Sequence, residues 1–185
     1  MLLTFCDASI LDDAMGLGVI VCKASYQGER IKVDEIIYIY KKIILNVGED
    51  EKRHYEFYSI LEGLAVLKTM PKEESIVFND CSNTIELLER LSSPKKSKKF
   101  KDRDFFIKSM VGTSFDHIRF QWLPRGNKGI YIADKLSKTF YAYMGEKITL
   151  KDFLKMEEDL KLTYFYKESF SQSLMHNNII NKWIK

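Results

Sequence analysis

The chain has 185 residues, of which 45% are hydrophobic and 13% aromatic, so it can bury the core of one domain or of one domain with an appendage. Its formal charge of +3, from 29 basic and 26 acidic residues, is too small to indicate a nucleic-acid partner by itself. Three cysteines without a CxxC spacing argue against a disulfide framework and fit a reducing cytoplasm. The N-terminal residues lack the basic leader of a signal peptide, and no apolar run approaches the ~18 residues of a membrane span, so neither is expected.

The N-terminal quarter of the chain predicts three strands joined by short turns. An apolar run over residues 2–7 predicts the first strand, and a β-branched run over 18–22 predicts the second. The third strand lies within residues 30–45, where isoleucines and tyrosines alternate. Short connections between the three favour an antiparallel meander.

The period of the apolar residues changes to 3.6 at Phe57 and predicts a helix that ends near Met70. Later segments are predicted as a strand over 75–80, a helix to about residue 91, a strand over 118–122 and a helix over about 130–144. This order predicts an α/β fold with a five-stranded mixed sheet, in which three antiparallel strands are followed by two parallel strands reached through helical crossovers.

A basic segment separates the fourth and fifth predicted strands. It places six basic side chains within nine positions and leads into a helix predicted over about 104–111; the six are Lys95, Lys96, Lys98, Lys99, Lys101 and Arg103. Such a cluster can attract phosphates, and a solvated loop or helix face is an equally good interpretation.

Residues 145–185 form an extension beyond a first domain of residues 1–144. Thr149 and Asp152 can cap a helix that carries Phe153, Leu154 and Leu160. Apolar positions over about 169–185 predict a further helix. The extension is therefore predicted to be helical.

Four carboxylates stand at the ends of predicted elements. Asp7 and Asp80 close apolar strands, Glu56 heads the apolar stripe of a helix, and Asp134 lies in the first turns of the last core helix. Singly, each fits a turn residue or a partner of a helix dipole. Because sites in α/β sheets lie beyond the carboxyl ends of parallel strands, together they predict one acidic site at a sheet edge.

The motifs around these carboxylates resemble those of type 1 ribonuclease H over about residues 1–142. In chain order they are Thr-Phe-Cys-Asp-Ala-Ser at 4–9 with Gly-Leu-Gly-Val at 16–19, Tyr-Glu-Phe-Tyr-Ser-Ile-Leu-Glu-Gly-Leu at 55–64, Val-Phe-Asn-Asp-Cys-Ser at 77–82, and Gln-Trp-Leu-Pro-Arg-Gly at 121–126 with Ala-Asp-Lys-Leu-Ser-Lys at 133–138. On this match the metal-binding glutamate is Glu56 rather than Glu62. The resemblance implies a ribonuclease H-like domain over residues 1–144.

The resemblance also implies an activity, the hydrolysis of the RNA strand of RNA/DNA hybrids with two magnesium ions, for which manganese is a substitute. Asp7 would bridge both ions, Glu56 and Asp80 would hold the ion on the leaving-group side, and Asp134 would hold the ion that activates water. The basic segment would clamp the DNA backbone of the hybrid. A further contact to nucleic acid is expected from Arg125, since some members of the family have an arginine in this region. Others are expected from four polar residues that fit turn and cap positions equally well: Asn79, Ser82, Asn83 and Asn127.

The sequence departs from the family at three points of the site. Pro124 stands where the family often has a catalytic-loop histidine, Ala8 follows the first aspartate in place of glycine, and residues 127–132 depart from the common Gly-Asn-x-x-Ala-Asp pattern. These departures keep two alternatives open. One is a nucleic-acid-binding module that retains the fold without catalysis, and the other is a related nuclease with a different nucleic-acid substrate.

Overall fold

The computed structural model describes residues 1–91, 117–138 and 149–166. Three predictions lie outside these ranges: the basic segment with the helix over 104–111, the end of the helix predicted to reach 144, and the helix over 169–185. No helix within the described ranges is long and apolar enough to cross a membrane.

The three N-terminal strands form the predicted antiparallel meander. They are β1 (Leu2–Leu11), β2 (Ala14–Gln27) and β3 (Arg30–Ile44), and each is longer than the apolar run that predicted it. Their ladders continue past these runs, since backbone pairing does not require an apolar side chain at every position. One result is that Asp7 lies inside β1 rather than at its end.

The parallel half of the sheet also has the predicted connections. Strand β4 (Ser75–Asn79) pairs in parallel with β1, and β5 (Ile118–Trp122) pairs in parallel with β4. The strand order is β5-β4-β1-β2-β3-β6, which places β1 and β4 inside the sheet.

The described sheet has six strands, so the prediction of five was wrong. The sixth, β6 (Tyr164–Tyr166), comes from the extension and pairs antiparallel with β3 at residues 30–32. Burial of Phe165 explains this short strand, because its ring lies 5.7 Å from that of Phe5 and 5.5 Å from that of Phe78. A run of three residues is too short for an alternation pattern to reveal.

Five described helices flank the sheet: α1 (Glu49–Arg53), α2 (Tyr55–Lys68), α3 (Ser82–Leu91), α4 (Lys128–Ser137) and α5 (Leu150–Lys161). Thr149 caps α5 through reciprocal bonds with Asp152, as predicted. Helix α1 lies within residues 46–53, a polar segment with a glycine whose composition favours a loop. It buries no residue, and its acidic first turn and basic last turn favour the helix dipole instead.

The two faces of the sheet carry separate apolar cores. Helices α2 and α3 cover one face, while α4 and α5 cover the other, where Phe165 of β6 joins the core. Glycines let the helices approach closely. A Cβ at Gly63 would lie 2.5 Å from the sulfur of Cys6, and one at Gly18 would lie 2.1 Å from the carbonyl oxygen of Ala133. These close contacts fix α2 and α4 against the strands that carry the candidate site.

Candidate metal centre

Three of the four predicted carboxylates meet in space. Asp7 from β1, Glu56 from the first turn of α2 and Asp80 directly after β4 each offer a carboxylate oxygen, and these atoms all lie within 4.8 Å of one another. Asp7 is 1% exposed and Glu56 is 5% exposed, and the side chain of Asp80 is also 5% exposed. We call these three residues the acidic triad.

Divergence of two strands makes room for the acidic triad. Strand β4 pairs with β1 as far as the partners Phe5 and Phe78, and the ladder stops there. Asp7 and Asp80 follow just after the strands part. Helix α2 packs on one face of β1, so Glu56 at its start reaches the same opening.

Asn79 holds Glu56 in place. Its fully buried side-chain amide donates to Oε2 of Glu56 at 3.0 Å and to the carbonyl oxygen of Cys6 at 3.0 Å. Its Oδ1 accepts from the backbone N–H of Cys81 at 2.8 Å. Both ends of the amide are therefore used, and the rotamer of Asn79 is fixed by groups on β1 and at the end of β4.

Ser137 orients Asp7 from the opposite side. Its Oγ lies 3.0 Å from Oδ2 of Asp7 and 2.9 Å from the carbonyl oxygen of Asp134, and can donate to one of them while it accepts from Ser9 at 2.7 Å. Within the described ranges, the buried Oδ1 of Asp7 has no hydrogen-bond partner. An unsatisfied carboxylate oxygen at 1% exposure calls for a cation.

Asp134 lies beside the acidic triad rather than within it. It is 8% exposed, it faces Asp7 closely enough to raise the pKa of that carboxyl, and it is ion-paired with Lys138 at 2.7 Å. The structure thus brings three of the four predicted ligands close enough together to share one cation. The fourth, Asp134, lies one helical turn before Ser137 on the same face of α4.

The acidic triad is electrostatically strained without a cation. Burial, and then the charges of Glu56, Asp80 and Asp134, raise the pKa of Asp7 to about 8. Burial also raises the pKa of Glu56 to about 7; the hydrogen bond from Asn79 opposes this rise, and the charge of Asp80 adds to it. The carboxyls of Asp7 and Glu56 therefore resist ionisation at neutral pH unless positive charge arrives.

The donor set fits a hard divalent cation. Every potential ligand in the acidic triad is a carboxylate oxygen, which Mg²⁺ and Mn²⁺ prefer over nitrogen or sulfur. The thiol of Cys6 next to Asp7 packs against Gly63 on the other face of β1, and burial raises the pKa of this thiol well above its usual range. Cys6 is therefore a core residue.

The predicted nucleic-acid contacts fall into distinct places. Arg125 is 70% exposed and its Nε lies 2.7 Å from Oδ2 of Asp80. Asn127 caps α4 by accepting from the N–H of Gly129 at 2.9 Å, in agreement with its interpretation as a cap residue. Ser82 and Asn83 are exposed at the start of α3. The six basic side chains of residues 95–103 lie outside the described ranges.

Two residues of the site were not predicted from the sequence. Ser137 stands three residues after Asp134, and this spacing places both on one face of α4, so the helical period was an available signal. Tyr55 contacts Glu56 through a hydrogen bond, and burial followed by the charge of Glu56 raises the pKa of Tyr55 to about 12. Only the structure shows that this side chain turns toward the carboxylate.

Comparison with known proteins places the fold. No protein-family model and no curated protein matches the chain. Ribonuclease H1 from the halophilic archaeon Halobacterium salinarum matches with a TM-score of 0.50 and 12% identity over 76% of this chain and 98% of that chain. The N-terminal ribonuclease H domain of a Mycobacterium tuberculosis protein matches with a TM-score of 0.50 and 17% identity over 78% and 98%.

The chain therefore has a ribonuclease H-like fold, as its motifs predicted. At 12% and 17% identity the comparison concerns the arrangement of strands and helices. The chemistry of the site depends on its side chains, which the fold alone does not determine.

Proposed function

We propose that this protein is a divalent-metal-dependent nuclease that hydrolyses the RNA strand of RNA/DNA hybrids. The observation that carries the proposal is the acidic triad, with three carboxylate oxygens within 4.8 Å of one another and one buried oxygen of Asp7 without a partner among the described residues. The triad lies on a ribonuclease H-like fold, at the opening between two parallel strands.

The residues divide between two cation positions. Asp7, Glu56 and Asp80 would hold one ion, and Asp7 with Asp134 would hold the second. When bound, the two ions supply the positive charge that in-line displacement at a phosphate needs on its attacking and leaving oxygens. Asn79 and Ser137 keep the carboxylates of Glu56 and Asp7 in fixed orientations, so little reorganisation is needed on binding.

Substrate choice is inferred from charge and from the resemblance of the motifs. Arg125 provides an exposed guanidinium at the rim of the acidic triad, and the sequence adds six basic residues within 95–103. Phosphate contacts of this kind carry no base information, so cleavage is expected at many sequences. A preference for the RNA strand would come from contacts to 2′-hydroxyl groups and from the shape of the hybrid.

Cleavage of labelled substrates by the full chain tests the proposal. An RNA/DNA hybrid, duplex DNA, duplex RNA and single-stranded RNA are incubated side by side with Mg²⁺, with Mn²⁺ or with EDTA. We expect cleavage of the hybrid's RNA strand in either metal and none in EDTA. Asp7→Asn and Asp80→Asn should abolish it, whereas Asp13→Asn, at an exposed turn position, is the matched control that should retain it.

Three other results would redirect the assignment. Cleavage of a different substrate would identify a related nuclease on the same fold. Binding of the hybrid that weakens with salt, without cleavage in either metal, would identify a non-catalytic binding module. Equal cleavage by Asp7→Asn and the unaltered chain would remove the acidic triad from the mechanism.

A further inference from the structure

A basic side chain already lies against the acidic triad. Nε of Arg125 lies 2.7 Å from Oδ2 of Asp80, in a charge-assisted bond between a side chain that is 70% exposed and one that is 5% exposed. Most of the guanidinium therefore stays in water while one edge neutralises a nearly buried carboxylate. Asp80 is also one of the three residues that a divalent ion would use.

The loop around Arg125 is held in place without help from this side chain. Nε1 of Trp122 donates to the carbonyl oxygen of Asp80 at 2.9 Å, and the backbone N–H of Leu123 donates to the carbonyl oxygen of Asn79 at 3.1 Å. On the other side, the N–H of Asn127 donates to the carbonyl oxygen of Pro124 at 2.8 Å. The side chain of Arg125 can leave Asp80 while its backbone remains at the rim of the site.

A divalent ion and this guanidinium compete for the same charge. When an ion binds the acidic triad, the negative charge of Asp80 is shared with it, and the ion repels a guanidinium whose Nε was 2.7 Å from the carboxylate. The exposed side chain loses its partner at the point where a substrate phosphate would approach. A free guanidinium is well suited to a phosphate because its planar fork can donate two parallel hydrogen bonds.

We propose that Arg125 is a metal-gated phosphate-binding residue. In the metal-free protein it pairs with Asp80, and a divalent ion at the acidic triad releases it to bind the backbone of the nucleic acid. This inference rests on the proposed function, and adds to it that metal binding and nucleic-acid binding are coupled through one side chain. Coupling of this kind is reciprocal, so nucleic acid also tightens the binding of metal.

The gate predicts effects of opposite sign for Arg125→Gln. Removal of the internal competitor should raise the affinity of the free protein for Mg²⁺ by about fivefold or more, a typical size for coupling between two sites. In the presence of metal the same variant should bind nucleic acid more weakly. The magnitude of the negative slope of log K against log salt should fall by about one, which corresponds to the loss of one phosphate contact. In EDTA the loss of nucleic-acid binding should be much smaller than in the presence of metal, because Arg125 is then paired with Asp80.

Arg119→Gln is the matched control. Arg119 makes an ion pair of the same 2.7 Å length with Glu74, and it lies at the opposite end of β5 from the acidic triad. This variant removes the same charge and an ion pair of the same length, so it corrects for the loss of net charge. It should leave the affinity for Mg²⁺ unchanged, and thermal melts of both variants check that they fold.

The experiment uses the full chain in two titrations. Calorimetry measures Mg²⁺ binding without nucleic acid. Fluorescence anisotropy measures binding of a labelled RNA/DNA hybrid in Ca²⁺ and in EDTA over a series of salt concentrations. A denaturing gel checks that the hybrid stays intact. Opposite shifts for Arg125→Gln, absent in Arg119→Gln, support the gate. Equal Mg²⁺ affinity of Arg125→Gln and the unaltered chain overturns the gate alone, as does an equal loss of hybrid binding in Ca²⁺ and in EDTA. Absence of Mg²⁺ binding by the unaltered chain overturns the proposed function together with the gate.

Discussion

Replacement of Asp7 by asparagine should make the stability of the metal-free protein less dependent on pH. Burial and the neighbouring carboxylates raise the pKa of Asp7 from its ordinary value of 3.8 to about 8 in the folded protein. The folded state therefore holds a proton that the unfolded state has lost throughout this interval. The stability that this proton contributes is fully present below about pH 4 and is lost as the pH rises toward 8.

The size of the effect follows from the width of the interval. Each pH unit between the two pKa values lowers the free energy of unfolding by about 1.4 kcal/mol, which amounts to up to about 4 kcal/mol from pH 4 to pH 7. The asparagine places an amide NH₂ in a buried position where Oδ1 has no partner among the described residues, at a cost of roughly 1–3 kcal/mol. Asp7→Asn should therefore be the less stable protein at pH 4 and the more stable one, by about 1–3 kcal/mol, near pH 7.

Urea unfolding in EDTA at a series of pH values measures this difference. The curve for Asp13→Asn supplies the baseline, since that carboxylate is exposed to water at the turn between β1 and β2. A difference between Asp7→Asn and the unaltered chain that stays constant from pH 4 to pH 7.5 would show that Asp7 does not resist ionisation, and the electrostatic description of the acidic triad would be wrong.

Three further outcomes are expected from the same site and its supports. Saturating Mg²⁺ should raise the melting temperature of the unaltered chain at pH 7.5, and should raise that of Asp7→Asn much less, because only the former retains all the ligands of the acidic triad. Asn79→Ala should weaken Mg²⁺ binding by about tenfold in calorimetry, since Glu56 loses the amide that orients it. Gly18→Ala should destabilise the fold by about 1–3 kcal/mol in urea, because the new Cβ would lie 2.1 Å from a backbone oxygen of α4. Gly126→Ala should leave stability nearly unchanged, because a Cβ there would have no neighbour within 4 Å in the described part of the chain.

Element type and order could be predicted from the sequence, because long apolar patterns determine them. The alternation in the N-terminal strands and the helical stripe after Phe57 each extend over enough residues to distinguish a strand from a helix. Strand β6 and helix α1 could not be predicted in this way. The first depends on the burial of one phenylalanine against two distant rings, and the second buries no residue at all.

The candidate site could be predicted only in part. Strand ends and helix starts indicate where a carboxylate lies, but they do not show which other side chains contact it. Asp7, Glu56 and Asp80 were expected to converge and lie together. The bond from Arg125 to Asp80 joins residues 45 positions apart. It depends on how the loop after β5 folds back over the end of β4, which no local pattern determines.

The location of the acidic triad follows from one interruption of the sheet. Asp7 lies on the face of β1 that α4 covers, and Glu56 begins a helix on the opposite face, so a continuous sheet would keep the two carboxylates apart. The ladder between β1 and β4 ends at Phe78, and the side chain of Asn79 then bonds to the carbonyl oxygen of Cys6 in place of a further backbone pair. The same amide bonds Glu56, so the group that closes the gap in the sheet also orients a ligand from its far side. Because one side chain does both, loss of Asn79 should loosen the strand pairing and the acidic triad together, which is why the calorimetric test of Asn79→Ala has to be read beside the stability of that variant.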